Sequence, residues 1–99
     1  VSGIIYFIGC QATDTVKIGF TSGSPIARLR RLQTGNAHDL ALLTLIPGTR
    51  EMEKMLHHRL SEWRMSGEWF RIEGDVLKLI DNLQQLELAA LAESVDGDD

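Results

Sequence analysis

Ninety-nine residues with 43% hydrophobic and 24% charged side chains describe one globular domain with a modest core, near the lower end of comfortable stability. No apolar run approaches the ~20 residues of a membrane span, and nothing resembles a signal peptide, so a membrane partner is not expected. The net charge of −4 argues against a polyanionic partner, but residues 1–72 carry nine basic against six acidic side chains and residues 73–99 one against eight, so the first segment can attract phosphates while the last would be repelled.

The stretch Ile4 to Thr21, IIYFIGCQATDTVKIGFT, reads as two β-strands, Ile4–Cys10 and Val16–Thr21, joined by a polar turn containing Asp14. A four-residue loop, Gln11 to Asp14, sets Tyr6 opposite Gly19, Phe7 opposite Ile18 and Ile8 opposite Lys17. Ile5, Phe7, Val16, Ile18 and Phe20 then share a core face, and Tyr6 and Lys17 share the other beside the space left by Gly19. A five-residue loop would split the apolar set between the faces, so the hydrophobic pattern favours the first register. The single cysteine, Cys10, lies in the first strand and is expected to be a buried thiol, compatible with a reducing cytoplasm. The chain begins at Val1 rather than Met, which fits a processed start or a domain taken from a longer protein.

Ser24 and Pro25 open the first helix as N-cap and first helical position. The helix is expected to run to Gln33 or Thr34, stopping at Gly35-Asn36, with Ile26, Leu29 and Leu32 as its apolar stripe. Arg28 lies at the edge of that stripe, where a guanidinium can lean over the sheet and still reach solvent. By spacing alone it also reads as one of three solvated arginines. Leu40 to Ile46, ended by Pro47-Gly48, reads as a third strand buried on both sides. A second helix follows from Thr49 or Arg50 to Arg64, with Thr49 as N-cap and Met52, Met55, Leu56, Leu60 and Trp63 as its apolar stripe.

Glu53 and His57 stand one above the other on that helix, along one edge of the stripe. A carboxylate there can reach a hard cation without full desolvation, although the same spacing also makes a simple surface pair. Arg59 falls inside the stripe, its stem packed on the core with the head group outward or its charge paired with Glu68. Glu68 to Ile72 reads as a short extended segment in which Trp69 and Phe70 serve packing rather than base stacking. A last helix is expected from Gly74 or Asp75 to Glu93. Its second half leaves leucines exposed, which suits a homodimer or a neighbouring domain. The domain is expected over 1–94, with an acidic, disordered tail at 95–99.

Tyr6, then Lys17-Ile18-Gly19, then Arg28 within a following helix, resembles the GIY-YIG nuclease superfamily. Ile4-Ile5-Tyr6 stands at its first motif and Lys17-Ile18-Gly19 at its second, departures found in the small branch named after a phage T5 reading frame. Leu32-Gln33-Thr34-Gly35-Asn36, then Glu53 with His57, then Gly67-Glu68-Trp69-Phe70 continue the likeness, which covers roughly residues 4 to 72. The resemblance implies an α+β fold, a small three-stranded antiparallel sheet flanked by helices, and a metal-dependent endonuclease acting on DNA, single or double stranded. Glu53 would anchor one Mg²⁺ or Mn²⁺ ion. Arg28 would contact the scissile phosphate, and Tyr6 would orient or deprotonate the attacking water, with Lys17 beside it lowering the phenol's pKa. His57 is a candidate acid, water-positioning group or partner of a ligand, and the sequence by itself does not assign it as a metal ligand. Gly19, Thr21, Arg31 and again Lys17 are expected along the substrate path. Two other readings remain: a module of the same fold that binds DNA without cutting it, and a protein-interaction domain that uses the C-terminal helix.

Overall fold

Hydrophobic alternation in the first hairpin fixes the frame. In a computed structural model of the chain, which describes residues 2–96, β1 (Ser2–Cys10) and β2 (Thr15–Thr21) pair antiparallel around a four-residue loop. Tyr6 faces Gly19, Phe7 faces Ile18 and Ile8 faces Lys17, the register that the apolar pattern favours. Asp14 closes the loop at φ 54°, a left-handed conformation that Asp adopts more readily than most residues. Ile5, Phe7, Val16, Ile18 and Phe20 are buried together with Leu60, Phe70, Val76 and Ile80 as one core.

The sheet has five strands rather than three, all antiparallel, in the order β3-β1-β2-β5-β4. β3 spans Leu40–Thr49, β4 Arg64–Ser66 and β5 Trp69–Arg71. Gly67, at φ 55°, turns the chain back so that β4 and β5 pair. Three-residue strands are too short to show an alternating pattern, so only the extended character of 68–72 was visible in the sequence. β3 is an edge strand, not one buried on both sides; within it only Thr44 is buried. It continues through Pro47-Gly48, because a proline at an edge forfeits no ladder hydrogen bond.

α1 (Pro25–Thr34) is capped by the Ser24 hydroxyl, which accepts the Ala27 amide at 3.2 Å. It packs against β3 and β1 and buries none of its residues completely, so the Ile26 stripe is only half covered. α2 (Arg50–Arg59) is capped by Thr49 and ends five residues short of the expected Arg64, because a 3₁₀ turn at Ser61–Trp63 leads into β4. Its inward side is also rotated from the expected stripe. Glu53 is the one residue of α2 that is buried, Leu56 and Leu60 meet the core, and Met52 and Met55 are 41% and 56% exposed.

α3 (Gly74–Asp96) brings Val76 and Ile80 onto the core and then follows β3. Gln84 Nε2 donates to the Leu43 carbonyl at 3.0 Å, and the Thr44 hydroxyl donates to Glu87. Beyond that point Leu86, Leu88 and Leu91 are more than 60% exposed, as the sequence suggested. The helix passes the expected end at Glu93 and takes in residues 95 and 96, the start of the stretch read as a disordered tail; 97–99 lie outside the described residues. Among the described residues no helix is long and apolar enough to cross a membrane.

Candidate active site

The site is built where β2 runs out of strand partners. β5 pairs only with Thr15, Val16 and Lys17, so the edge groups of β2 beyond Lys17 need other partners. The Ile18 amide donates to the Glu68 carbonyl at 3.0 Å. The Ile18 carbonyl meets His57 Nε2 at 2.7 Å, and the Phe20 amide is close enough to the Glu53 carboxylate to favour its charge. These bonds explain the rotation of α2: turning Glu53 and His57 inward satisfies the β2 edge, while Leu56 and Leu60 still meet the core.

This arrangement gathers three side chains of types that can ligate a metal. One ligand atom from each of Glu53, His57 and Glu68 lies within 4.8 Å of the others, so the group could hold a metal ion. A carbonyl only accepts, so His57 must donate to Ile18 through Nε2–H, and the neutral ring is left with Nδ1 as its ligating atom. Histidines that bind metals are commonly held this way, by a carbonyl on the other nitrogen. The ring also stands edge-on to Phe70, with centroids 5.0 Å apart. Glu53, 7% exposed, has its carboxyl pushed above the ordinary carboxylate range. Burial is the main cause and the Glu68 charge the second, with His57, Arg50 and the Phe20 amide partly offsetting them. Two carboxylates converging on an imidazole at a partly desolvated border suit a divalent cation, which would relieve that strain.

Lys17 and Tyr6 complete the other side. Lys17 Nζ pairs with Glu68 at 3.1 Å and stands 6.0 Å from the Trp69 ring centre. Tyr6 is 2% exposed, and the space left by Gly19 is filled by its own phenol: a Cβ at Gly19 would come within 2.4 Å of the ring and its oxygen. The expectation that Lys17 lowers the Tyr6 pKa is not met. Burial pushes the phenol up, the Glu68 and Glu53 charges add to this, and Arg28 alone draws it down. Lys17 is engaged by Glu68, so its charge is largely neutralised where Tyr6 would feel it.

Tyr6, Lys17, Gly19, Glu53 and His57 therefore come together, and Arg28, exposed on α1, is near enough to act on the phenol. Thr21 is buried at the end of β2 and its hydroxyl accepts the Gly23 amide at 3.0 Å. Arg31 is exposed in the last turn of α1, and among the described residues no hydrogen bond or ion pair joins it to the cluster. Arg59 does not pair with Glu68, which is taken by Lys17; its side chain borders an apolar recess with Ile46, Met52, Met55 and Leu56. Sequence reasoning assigned no role in the site to Glu68 or to Arg50, whose guanidinium stacks 4.9 Å from the centre of Phe20. The Gly67-Glu68-Trp69-Phe70 motif was the available signal for Glu68, but only the β5 pairing brings it beside Lys17.

The family model described as the T5orf172 domain matches residues 3–87, a span that reaches from the start of β1 well into α3. No curated protein and no solved structure matches the chain.

Proposed function

The chain belongs to the T5orf172 domain family, which is associated with nuclease-like and DNA-binding function, and from this we propose that it is a metal-dependent endonuclease hydrolysing DNA phosphodiester bonds. One observation carries the reading: a nearly buried carboxylate, Glu53, lies within ligand distance of His57 and Glu68 beside a buried phenol and an exposed arginine. Burying like charges together is costly unless a cation joins them.

Glu53, His57 and Glu68 would hold a single divalent ion, which we take to be Mg²⁺ or Mn²⁺ from the predominance of carboxylate oxygen. Such an ion supplies Lewis-acid charge stabilisation at the phosphoryl oxygens. Arg28 offers a fixed, always charged fork to the scissile phosphate. The Tyr6 phenol, neutral at physiological pH, orients the attacking water by hydrogen bonding and accepts its proton only when nearby positive charge favours phenolate. Lys17, paired with Glu68, would be available to a phosphate oxygen if that carboxylate helped to hold a cation. Gly19 keeps the sheet surface clear for the phenol, Arg31, exposed on the helix that carries Arg28, extends the path taken by the substrate strand, and Thr21, buried with its hydroxyl on the Gly23 amide, shapes the end of β2 beneath it. Action in the cytoplasm is in keeping with the buried free thiol of Cys10, and the exposed leucines of α3 suit a second copy or an adjoining domain.

A second reading, a module that binds DNA without cutting it, is favoured by the structural work that Glu53 and His57 already do on the β2 edge. Cleavage of labelled single- and double-stranded DNA with Mg²⁺, Mn²⁺ or EDTA, by the wild type and by Glu53→Ala, separates the two. Metal-dependent cutting lost in Glu53→Ala supports the nuclease. Salt-sensitive binding with no cutting in any of these conditions supports the binder.

A further inference from the structure

A cavity of about 270 Å³ lies on the sheet face that carries Tyr6 and Lys17, bordered among others by Cys10, Thr15, Asn36, His38, Ser66 and Trp69. Thr15 is two residues from Lys17 on the same strand face, so the cavity begins roughly 6.6 Å from the Lys17 position. Trp69 joins the two places, since it stands across from Lys17 in β5, lies near the Lys17 ammonium and also walls the cavity.

We propose that this cavity is a subsite for one unpaired nucleobase of the substrate strand, seated beside Trp69 while the neighbouring phosphates lie over Lys17. The proposal rests on the nuclease reading and deepens it, naming a strand with an extruded or single-stranded base as the preferred substrate. The cavity falls below the 300–1,000 Å³ usual for drug-sized ligands, a volume suited to a single ring system. Its walls are mostly apolar, with Trp69 and Met65 among them, and take polar groups from the loop after α1. Asn36 Oδ1 accepts the His38 amide at 2.9 Å, which fixes the loop and leaves the Asn36 amino group as a donor for a base edge, with the His38 ring able to donate or accept. Stacking on an indole tolerates any base, and edge contacts grade the preference.

The test is binding of a fluorescently labelled single-stranded oligonucleotide in EDTA, which blocks cleavage, compared with a series of the same oligonucleotide carrying one abasic position moved along its length. Wild type, Trp69→Ala, Trp69→Phe and Asn36→Ala are compared, each checked for folding by circular dichroism. One abasic position should weaken wild-type binding about tenfold or more. Trp69→Ala should lose a similar factor on the intact strand but nothing further on that abasic strand, Trp69→Phe should keep most of the affinity, and Asn36→Ala should change the preference among bases at that position. Salt-sensitive binding with no sensitive position, or an equal Trp69→Ala loss on intact and abasic strands, overturns the subsite and leaves the nuclease standing. If the wild type binds no DNA either in EDTA or with Ca²⁺ in its place, both readings fall.

Discussion

Glu53→Gln should make the metal-free protein more stable and the metal-bound protein no better than the metal-free one. The carboxylate oxygens of Glu53 and Glu68 lie within 4.8 Å, and at an effective dielectric near 20 two like charges at that distance repel by roughly 3 kcal/mol. Glu68 is 37% exposed and has Lys17 at 3.1 Å, so screening and the counter-ion cancel most of this, leaving on the order of 1 kcal/mol. The amide of Gln keeps an oxygen for the Phe20 N–H, so the β2 edge stays closed. In a domain of this size 1 kcal/mol corresponds to a rise in Tm of about 4–8 °C. The pH dependence has a definite sign. A carboxyl whose folded pKa is raised binds its proton more tightly in the native state, so its contribution is greatest at low pH and is lost as pH climbs above the ordinary carboxylate range. Thermal unfolding in EDTA from pH 4 to 8 should therefore show the Tm advantage of Glu53→Gln over the wild type growing with pH. Adding Mg²⁺ at about ten times its Kd should return about 1.4 kcal/mol to the wild type and little to the variant. A variant that is less stable than the wild type in EDTA at neutral pH, or one that gains as much from Mg²⁺, would refute the idea that these carboxylates strain each other around a cation site.

Because burial and the two carboxylates hold the Tyr6 phenol above its ordinary pKa, cleavage that needs phenolate should rise about tenfold per pH unit between pH 7 and 9. Tyr6→Phe should flatten that profile as well as lower it, and a level wild-type profile would mean that Tyr6 positions water without taking its proton. Gly19→Ala forces a methyl group to within 2.4 Å of the phenol; overpacking of this kind costs about 1–3 kcal/mol, so denaturant unfolding should show that loss together with a displaced Tyr6 and reduced cleavage. Arg28→Lys keeps the charge but not the fork, and single-turnover cleavage should fall about 100-fold. Arg28→Ala should further lower the salt slope of DNA binding by about one, and an unchanged slope would remove Arg28 from the phosphate path.

The core hairpin was legible because its apolar alternation admits one register, and Tyr6, Lys17 and Gly19 followed from it. Capping chemistry announced α1 and α2, through Ser24 and Thr49. Three features were hidden for physical reasons. β4 and β5 are too short to carry a periodic signal, and without β5 nothing in the sequence joins Glu68 to Lys17. The rotation of α2 could not be read from hydrophobicity, because satisfying the open edge of β2 turned a carboxylate and an imidazole inward in place of two methionines. The Tyr6 pKa was misjudged because proximity to Lys17 was considered without the carboxylate that engages it. The position of Pro47 was misleading in the same way: a residue that ends a central strand is harmless at the edge, and edge placement is a property of the whole sheet.

The most direct test of the nuclease account follows DNA cleavage and thermal stability together as Mg²⁺ is titrated into the wild type and into Glu53→Gln. One ion held by Glu53, His57 and Glu68 predicts that cleavage rate and Tm rise in the wild type with the same midpoint and that both responses vanish in the variant. Cleavage that persists in EDTA, or that survives in Glu53→Gln with the wild-type Mg²⁺ dependence, would contradict it.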